Sequence, residues 1–184
     1  MIYIGIDPGL NGAVGIIHYK TEAELENLYS ATIEGHDMGR GTTIEATYVY
    51  DTPTALVEGE TTKRKYLAPA MAMLLQPFAE RQDVLAVLEN VHSMPKQGVA
   101  SSFCFGEGKG MWEGILAAFE IPTEMVSPQR WKKEMMADQG KDKSAARFKA
   151  MSLWPNLADK LKLVKHDGRA EALLMAEYGR RLRK

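Results

Sequence analysis

Residues 2–19 read IYIGIDPGLNGAVGIIHY, and this stretch decides how the fold begins. Two short runs rich in Ile, Val and Tyr, Ile2–Ile6 and Ala13–Tyr19, flank a segment of Pro, Gly and Asn-Gly residues that is typical of a turn. The stretch therefore predicts a β-hairpin, and the sheet starts antiparallel. Asp7 stands where the first strand meets the turn.

Outward from this hairpin, the first half of the chain continues with strand-like and helix-like segments. We predict strands at Leu25–Glu34 and Thr43–Tyr50, and an exposed charged loop at Leu56–Lys65. Apolar residues at helical spacing predict a helix over Tyr66–Arg81. The all-apolar run Val84–Leu88 that follows is typical of a buried central strand, and Glu89 ends it.

The second half is predicted to be mainly helical. A flexible, small and polar stretch at Met94–Gly110 precedes an apolar-faced helix to about Phe119, and Pro122–Val126 is a further strand. Ser127-Pro128 opens another helix by the cap-then-proline signal, and amphipathic helices follow at Ser144–Trp154 and from about Asp167. This order predicts an α/β fold with a mixed sheet in one domain spanning residues 1–184.

The composition excludes several classes of protein. Of the 184 residues, 45% are hydrophobic and 26% charged, which is ordinary for a globular domain, and no stretch approaches the roughly 18 apolar residues of a membrane helix. The N-terminus lacks the basic region of a signal peptide. Cys104 is the only cysteine, which excludes an internal disulfide and fits a reducing compartment; we expect it to be packed and to have no covalent role.

The net charge of −1 conceals an uneven distribution. Residues 1–120 hold 8 Lys and Arg residues against 16 Asp and Glu residues, whereas residues 121–184 hold 15 against 8. Basic side chains often do no more than solvate exposed helices, so this distribution is compatible with nucleic-acid binding without requiring it.

Four acidic residues lie where an enzyme could use them. Asp7 and Glu89 each end an apolar strand, where an unpaired carboxylate is costly and a neighbouring like charge raises its pKa. Asp167 and Glu171 are four residues apart, so on a helix they share one face. A hard divalent cation such as Mg²⁺ would neutralise such a group.

Each of these residues also has a purely structural interpretation. Asp7 could form an Asx-turn, and Glu89 could pair with a lysine. Asp167 could be a helix N-cap, with Glu171 a first-turn acid favoured by the helix dipole. These alternatives stay open at this point.

Three motifs in order resemble the RuvC family of resolvases. The segments are GIDPG (5–9) with GAVG (12–15), VLENVH (87–92) and HDGRAEALL (166–174), the last similar to phage-type members. The best-known bacterial members carry two acids three apart where Asp167 and Glu171 are four apart. The resemblance covers almost the whole chain.

This resemblance implies an RNase H-like fold with a mixed five-stranded sheet, three antiparallel strands and then parallel strands, flanked by helices. It implies that Asp7, Glu89 and Asp167 bind metal and act in catalysis, with Glu171 as a fourth carboxylate and His166 as a weaker candidate for handling a proton on water. The implied cofactor is Mg²⁺, with Mn²⁺ as a substitute and two ions per site. The implied reaction is paired nicking of four-way DNA junctions that leaves 5′-phosphate and 3′-hydroxyl ends.

The same resemblance implies a homodimer, because two symmetric nicks require two active sites, and a setting in a bacterial or phage-infected cytoplasm or an organelle. The helix through Met111, Trp112, Ile115, Leu116 and Phe119 could supply the dimer contact or belong to the core. Trp131 follows a family-like segment and is expected in the core. Predicted DNA contacts are Phe103, which could also be a core residue, and the basic residues Lys96, Arg130, Lys132, Lys133, Lys141, Lys143, Arg147 and Lys149.

Two other functional classes remain as alternatives. A non-catalytic DNA-binding protein could keep this fold without its chemistry. The GIDPG segment (5–9) also resembles the first phosphate loop of actin-like sugar kinases, although no second glycine-rich phosphate motif is visible.

Overall fold

The centre of the molecule is a five-stranded mixed sheet. The structure, a computed structural model, describes residues 1–20, 44–58, 63–93, 98–138, 142 and 144–183. Within these ranges the strands are β1 Ile2–Asp7, β2 Ala13–Tyr19, β3 Ile44–Asp51, β4 Thr54–Val57, β5 Lys63–Tyr66, β6 Val84–Glu89 and β7 Thr123–Val126. The large sheet has the order β3-β2-β1-β6-β7. Its first three strands are antiparallel, and β6 and β7 extend it in parallel. The predicted mixed five-stranded sheet is confirmed.

Helices cover both faces of this sheet. The α-helices within the described ranges are α1 Ala68–Leu75, α2 Val99–Ala118, α3 Pro128–Met135, α4 Ala145–Leu153, α5 Ala158–Leu161 and α6 Asp167–Leu182, with short 3₁₀ turns at Gln76–Phe78, Pro155–Leu157 and Val164–His166. The odd-numbered side chains of β6, with Trp131 and Tyr178, form a core beneath α3, α4 and α6. The even-numbered side chains of β6, with Trp112 and Leu116, form a second core beneath α1 and α2. Alternation along each strand therefore sorts its side chains between two different helix layers.

Helix α6 lies directly on the backbone of the N-terminal hairpin because glycines face it. A Cβ atom on Gly5 would collide with the Ala172 carbonyl oxygen, and a Cβ on Gly15 would lie 2.7 Å from the Leu173 amide nitrogen. Only a residue without a side chain permits such an approach. The two glycines thus bring the start of α6, with its acidic residues, close to the end of β1.

The prediction of a charged loop at Leu56–Lys65 is wrong at its two ends. Strand β4 pairs antiparallel with β5, and Leu56 faces Arg64 across this separate two-stranded ribbon. A ribbon exposed on both faces can carry charged residues throughout, so its composition resembles that of a loop. The ribbon is anchored by the buried Tyr66, whose hydroxyl donates to the Pro8 carbonyl at 3.2 Å.

The predicted flexible stretch at Met94–Gly110 is also wrong over most of its length, because α2 begins at Val99. Its glycines do not break the helix: Gly106 and Gly110 face open space, while Gly108 packs against Pro8 and Tyr66 so closely that a Cβ atom would clash. The glycines of this helix therefore include one that permits close packing and two that are exposed, and the composition of the segment does not distinguish these roles from those of a flexible loop. The predicted strand at Leu25–Glu34 lies outside the described residues, and none of the described helices is long and apolar enough to cross a membrane.

Candidate active site

Two strand ends bring the first pair of carboxylates together. Strands β1 and β6 are parallel neighbours, and their register pairs Ile6 with Leu88. Asp7 and Glu89 follow one residue later on the same edge of the sheet. Ile6 and Leu88 point into the α1–α2 core, so alternation directs both carboxylates to the opposite face, beneath α3 and α6.

Asp7 is held in a turn and is strongly perturbed. Its Oδ1 accepts the Gly9 amide N–H at 3.1 Å, so the predicted Asx-turn is present. Burial raises the pKa of Asp7 to about 7, with the charges of Glu89 and Glu171 raising it further and the Gly9 hydrogen bond opposing the change. Asp7 therefore both forms the Asx-turn and belongs to an acidic cluster, so the two interpretations do not exclude each other.

Glu89 is 6% exposed and is oriented by an indole. The Trp131 Nε1–H donates to Glu89 Oε1 at 2.8 Å. Burial raises the pKa of Glu89, and the charge of Glu171 adds to the rise, while the Trp131 hydrogen bond lowers it. Among the described residues, Glu89 is hydrogen-bonded to this indole and forms no salt bridge with a lysine, so Trp131 is both a core residue and the hydrogen-bond partner of the carboxylate.

Glu171, on α6, is the third carboxylate of the cluster, and it forms an ion pair with a lysine of α3. Lys132 on α3 places its Nζ 2.7 Å from Glu171 Oε1 and 5.0 Å from the centre of the Trp131 ring. The positive charge of Lys132 lowers the pKa values of both Asp7 and Glu89, and the negative charge of Glu171 raises both. Lys132, predicted from the sequence to contact DNA, thus lies against the acidic cluster.

Asp167 begins α6 but faces a different partner. Arg147 on α4 is 8% exposed, and its Nε donates to Asp167 Oδ1 at 2.6 Å while its Nη1 donates to the Lys162 carbonyl at 3.1 Å. The helix N-cap is His166 and not Asp167. Asp167 remains close in space, because a Cβ atom on the next residue, Gly168, would lie 3.0 Å from Asp7 Oδ2.

His166 is a buried residue, in contrast to the surface position that a lone histidine usually takes. Its Nδ1 accepts the Leu163 amide N–H at 3.3 Å. Burial lowers the pKa of His166, and the charges of Arg169 and Lys165 lower it further. Because Nδ1 accepts a hydrogen bond, Nε2 is the ring nitrogen that can donate.

The donor chemistry of the cluster fits a hard divalent cation. Asp7, Glu89 and Glu171 offer carboxylate oxygens, and burial, with the neighbouring acidic charges, holds the pKa values of Asp7 and Glu89 above their usual range despite the charge of Lys132. Among the described residues, however, no three acidic, histidine or cysteine side chains converge tightly enough to hold an ion as they stand. Lys132 on Glu171 and Arg147 on Asp167 occupy oxygens that a cation would take.

The predicted DNA contacts fall into distinct environments. Phe103 on α2 is 74% exposed. Lys133 is exposed on α3, and Arg130 is exposed with a 3.4 Å ion pair to Glu124. The buried guanidinium of Arg147 is engaged with Asp167, so DNA contact by Arg147 stays a prediction that this arrangement does not favour. Lys149 pairs with Asp138 at 2.5 Å, and Lys96, Lys141 and Lys143 lie outside the described residues.

Sequence reasoning missed the roles of residues that act through tertiary contacts. No local signal connects Trp131 with Glu89, since 42 residues separate them. It also missed Arg169, which lies between Asp167 and Glu171 but on the opposite side of the helix, where it forms a two-pronged ion pair with Asp51 at 2.5 and 2.6 Å.

Comparison with curated proteins finds a chloroplastic Holliday junction resolvase, MOC1, of Chlamydomonas reinhardtii, which is 28% identical over 117 residues. The match takes in 62% of this chain but only 13% of the relative's length. No family model matches the sequence.

Solved structures of RuvC from Thermus thermophilus share the fold over nearly the whole chain. RuvC in complex with a Holliday junction substrate matches with a TM-score of 0.53 at 10% identity, covering 99% of this chain and 96% of that one. A second T. thermophilus RuvC structure matches with a TM-score of 0.51 at 15% identity, covering 98% and 96%. The resemblance to RuvC and the RNase H-like fold that it implied are confirmed at the level of the fold.

Proposed function

We propose that this chain, which has the fold of a RuvC resolvase, is a structure-selective endodeoxyribonuclease that resolves four-way DNA junctions. The proposed reaction is metal-dependent paired nicking that leaves 5′-phosphate and 3′-hydroxyl ends. The observation that carries the proposal is the acidic cluster of Asp7, Glu89 and Glu171, held at the ends of two parallel strands and on the helix packed against them. We also propose that residues 1–184 act as one nuclease domain.

The residues proposed to hold Mg²⁺, or Mn²⁺ in its place, are Asp7, Glu89, Glu171 and Asp167. Two such ions, held by these carboxylates, would supply an activated water and neutralise charge on the leaving oxygen. The chain contributes position: Trp131 orients Glu89, and the Gly9 N–H orients Asp7. Because Lys132 and Arg147 pair with Glu171 and Asp167, we infer that metal binding exchanges these ion pairs for coordination.

DNA would approach the cluster across the edge of the sheet, with α3 and α6 on one face of the sheet and α2 on the other. Arg130 and Lys133 are exposed on α3, and Phe103 projects from α2 without burying its ring. Cations at this edge would neutralise phosphates of the junction arms, and an exposed aromatic residue can wedge between base pairs at a branch point. These contacts, together with those predicted for Lys96, Lys141 and Lys143, are part of the proposal.

The homodimer belongs to the proposal too, with a candidate interface that differs from the apolar face of α2. Trp112 and Leu116 are buried against the sheet, so they are core residues and cannot form a dimer contact. On the opposite face of α2, a Cβ atom at Gly106, Gly110 or Gly114 would meet open space. We propose that this outer face of α2 meets a second copy.

The location of the protein is proposed on similar grounds. The sequence predicts a bacterial or phage-infected cytoplasm or an organelle, and the chloroplastic relative supports the organellar alternative. A reducing compartment suits a chain whose single cysteine, Cys104, is half-buried.

The test is a cleavage assay on a labelled four-way junction and a matched linear duplex, with Mg²⁺ or with EDTA. We expect paired nicks in the junction that require the metal, and end-labelling should detect 5′-phosphates. The Asp7→Asn variant should bind the junction without nicking it. Nicking that persists in Asp7→Asn at the wild-type rate would overturn the proposal.

The second candidate is a non-catalytic DNA-binding protein with this fold. The ion pairs of Lys132 with Glu171 and of Arg147 with Asp167 favour it, since both occupy carboxylates of the site. Junction binding without nicking in Mg²⁺ and in Mn²⁺ would support this candidate. ATP hydrolysis without nicking would instead favour the actin-like kinase interpretation.

A further inference from the structure

A polar cavity lies beside the acidic cluster, on the other side of the start of α6. It has a volume of about 330 Å³ and is formed by the β1–β2 turn at Leu10–Gly12, the end of β3 and the residues that flank Asp167. This is the size of a small-ligand pocket. Its lining includes Arg64, Lys165, His166, Arg169, Asp51 and Thr52.

The charge of this lining favours an anion. Arg169 and Asp51 neutralise each other through their two-pronged ion pair. Among the described residues, Arg64 donates from Nη1 to the Asn11 side chain at 2.6 Å and to the Leu10 carbonyl at 3.5 Å, which leaves its Nε and Nη2 donors for another partner. Lys165 is exposed and forms no ion pair within the described part of the chain. The cavity therefore carries two positive charges beyond its internal ion pair.

One buried hydroxyl in this lining has no partner, and a ring nitrogen of the lining can donate to a ligand. Thr52 is 4% exposed, and its hydroxyl has no hydrogen-bond partner among the residues that the structure describes. His166 is 6% exposed and uses Nδ1 to accept the Leu163 N–H, so that its other ring nitrogen remains as a donor. Buried polar groups are nearly always satisfied in proteins, and unpaired ones point to a missing partner. An anion with several acceptor oxygens would suit both groups.

The position of the cavity connects it to the proposed reaction. Gly168 separates the two sites: a Cβ atom there would lie 2.5 Å from the Asn11 carbonyl oxygen, which belongs to the turn beside the cavity, and 3.0 Å from Asp7 Oδ2 in the cluster. Arg169 and Glu171 leave α6 on opposite sides. A DNA strand carries one phosphate for about every 3.4 Å along the helix axis, so a strand lying over the cluster presents further phosphates nearby.

We propose that this cavity binds a backbone phosphate of the DNA strand that enters the acidic cluster, with Arg64 and Lys165 as its cationic contacts. The cavity would hold the strand in register with the cluster, so these residues are positioning residues and not catalytic ones. The proposal rests on the proposed function for the identity of the ligand, whereas the affinity for a phosphate group follows from the cavity itself.

The first experiment uses the full chain and a four-way junction in Ca²⁺, at a series of salt concentrations. In the double variant Arg64→Ala/Lys165→Ala, the slope of log affinity against log salt should become shallower by about one, which corresponds to one lost phosphate contact. The KM for junction cleavage in Mg²⁺ should rise about tenfold with a kcat within about twofold of wild type. Arg81→Ala is the matched control, because Arg81 is exposed, pairs with Asp83 and precedes the opposite end of β6.

A second measurement identifies the phosphate. Single neutral methylphosphonates are placed in turn at each position flanking the cut. One position should weaken wild-type binding and have no effect in the double variant, since the partner of that phosphate is already gone. If every methylphosphonate affects both proteins equally, the cavity does not contact the strand and the proposal is overturned.

Inorganic phosphate separates failure of this proposal from failure of the proposed function. Titration followed by amide NMR should shift the signals of Gly12 and Thr52 in wild type but not in the double variant, whether or not the protein cleaves DNA. Absence of such shifts in wild type overturns the anion site. Shifts by phosphate in a protein that neither binds nor nicks junctions would refute the proposed function and the DNA ligand, and would show a site for free phosphate. Circular dichroism melting of each variant tests that it is folded.

Discussion

At the scale of single residues, Asp7 carries the largest electrostatic cost in the candidate site. Its pKa is raised to about 7, so between about pH 4 and pH 7 the folded protein retains a proton that the unfolded chain has released. The free energy of unfolding therefore falls as the pH rises through this window. Each pKa unit is worth about 1.4 kcal/mol, which bounds the total loss at about 4 kcal/mol.

The first prediction compares Asp7→Asn with wild type in EDTA. The stability of the variant relative to wild type should increase by about 2–4 kcal/mol between pH 4 and pH 8, because asparagine has no charge to bury. Urea unfolding at several pH values measures the difference. A constant difference across this range would contradict the raised pKa of Asp7.

The second prediction concerns Lys132, whose ammonium group competes with a cation for Glu171. Lys132→Met should lower the Mg²⁺ concentration for half-maximal binding by about tenfold, since a unit charge at about 4 Å contributes roughly 1–4 kcal/mol near a protein surface. Calorimetric titration without DNA measures this. Lys133→Met is the matched control, because Lys133 is the exposed neighbour on the same helix. Weaker Mg²⁺ binding in Lys132→Met would mean that Lys132 supports the site rather than competing for it.

At the scale of secondary-structure elements, the close approach of α6 to the N-terminal hairpin positions the site. Gly5 and Gly15 permit this approach, and α6 carries Asp167 and Glu171 with it. Gly108 permits a similar approach of α2 to the Pro8 turn. Glycine positions therefore decide how near the helices come to Asp7.

The third prediction is that Gly5→Ala destabilises the protein and impairs its site together. A Cβ atom there collides with the backbone of α6, which cannot move aside as a flexible side chain would. We therefore expect the free energy of unfolding to fall by about 1–3 kcal/mol. Junction cleavage should fall even at temperatures where the variant is folded. Gly98→Ala is the control: a Cβ atom there also meets open space and its φ of −62° suits alanine, so the free energy of unfolding should change by no more than about 1 kcal/mol. Equal stability of the two variants would contradict the close packing.

At the scale of the whole molecule, the proposed function depends on surfaces and on a second copy. The fourth prediction is that Phe103→Ala lowers junction cleavage several-fold while changing the free energy of unfolding by less than about 0.5 kcal/mol, because the ring is 74% exposed. Single-turnover cleavage and thermal melting are measured together. Phe148→Ala, at another exposed phenylalanine, is the control. A fall in cleavage that tracks a fall in melting temperature would instead assign Phe103 to stability.

The fifth prediction tests the outer face of α2 as the dimer interface. Gly110→Glu adds a charged side chain where a Cβ atom meets open space, so the monomer should remain folded. A dimer that packs on this face should dissociate, and paired nicking should become single nicking. Sedimentation velocity and the ratio of paired to single nicks provide the readout. An unchanged dimer in Gly110→Glu would exclude this face.

Much of the fold was predictable because short-range patterns specify it. The β1–β2 hairpin, the buried β6 and the Ser127-Pro128 helix start follow from alternation, apolar runs and capping, which act between residues close in the chain. The β4–β5 ribbon and the glycine-containing start of α2 were not predicted from the sequence, because polar ribbons and glycine-bearing helices are stabilised by contacts with residues remote in the chain. Tyr66 anchors the first and Gly108 the second.

The sequence by itself determined that Asp7 and Glu89 end apolar strands and that Asp167 and Glu171 share a helix face, because strand ends and helical periodicity are local properties. Only the tertiary structure decided which partners these carboxylates have. Glu171 lies with Asp7, Glu89 and Lys132, whereas Asp167 pairs with Arg147. Ion pairs, burial and pKa values depend on distances between residues remote in sequence, and those distances exist only once the glycines of the hairpin have let α6 settle against the sheet.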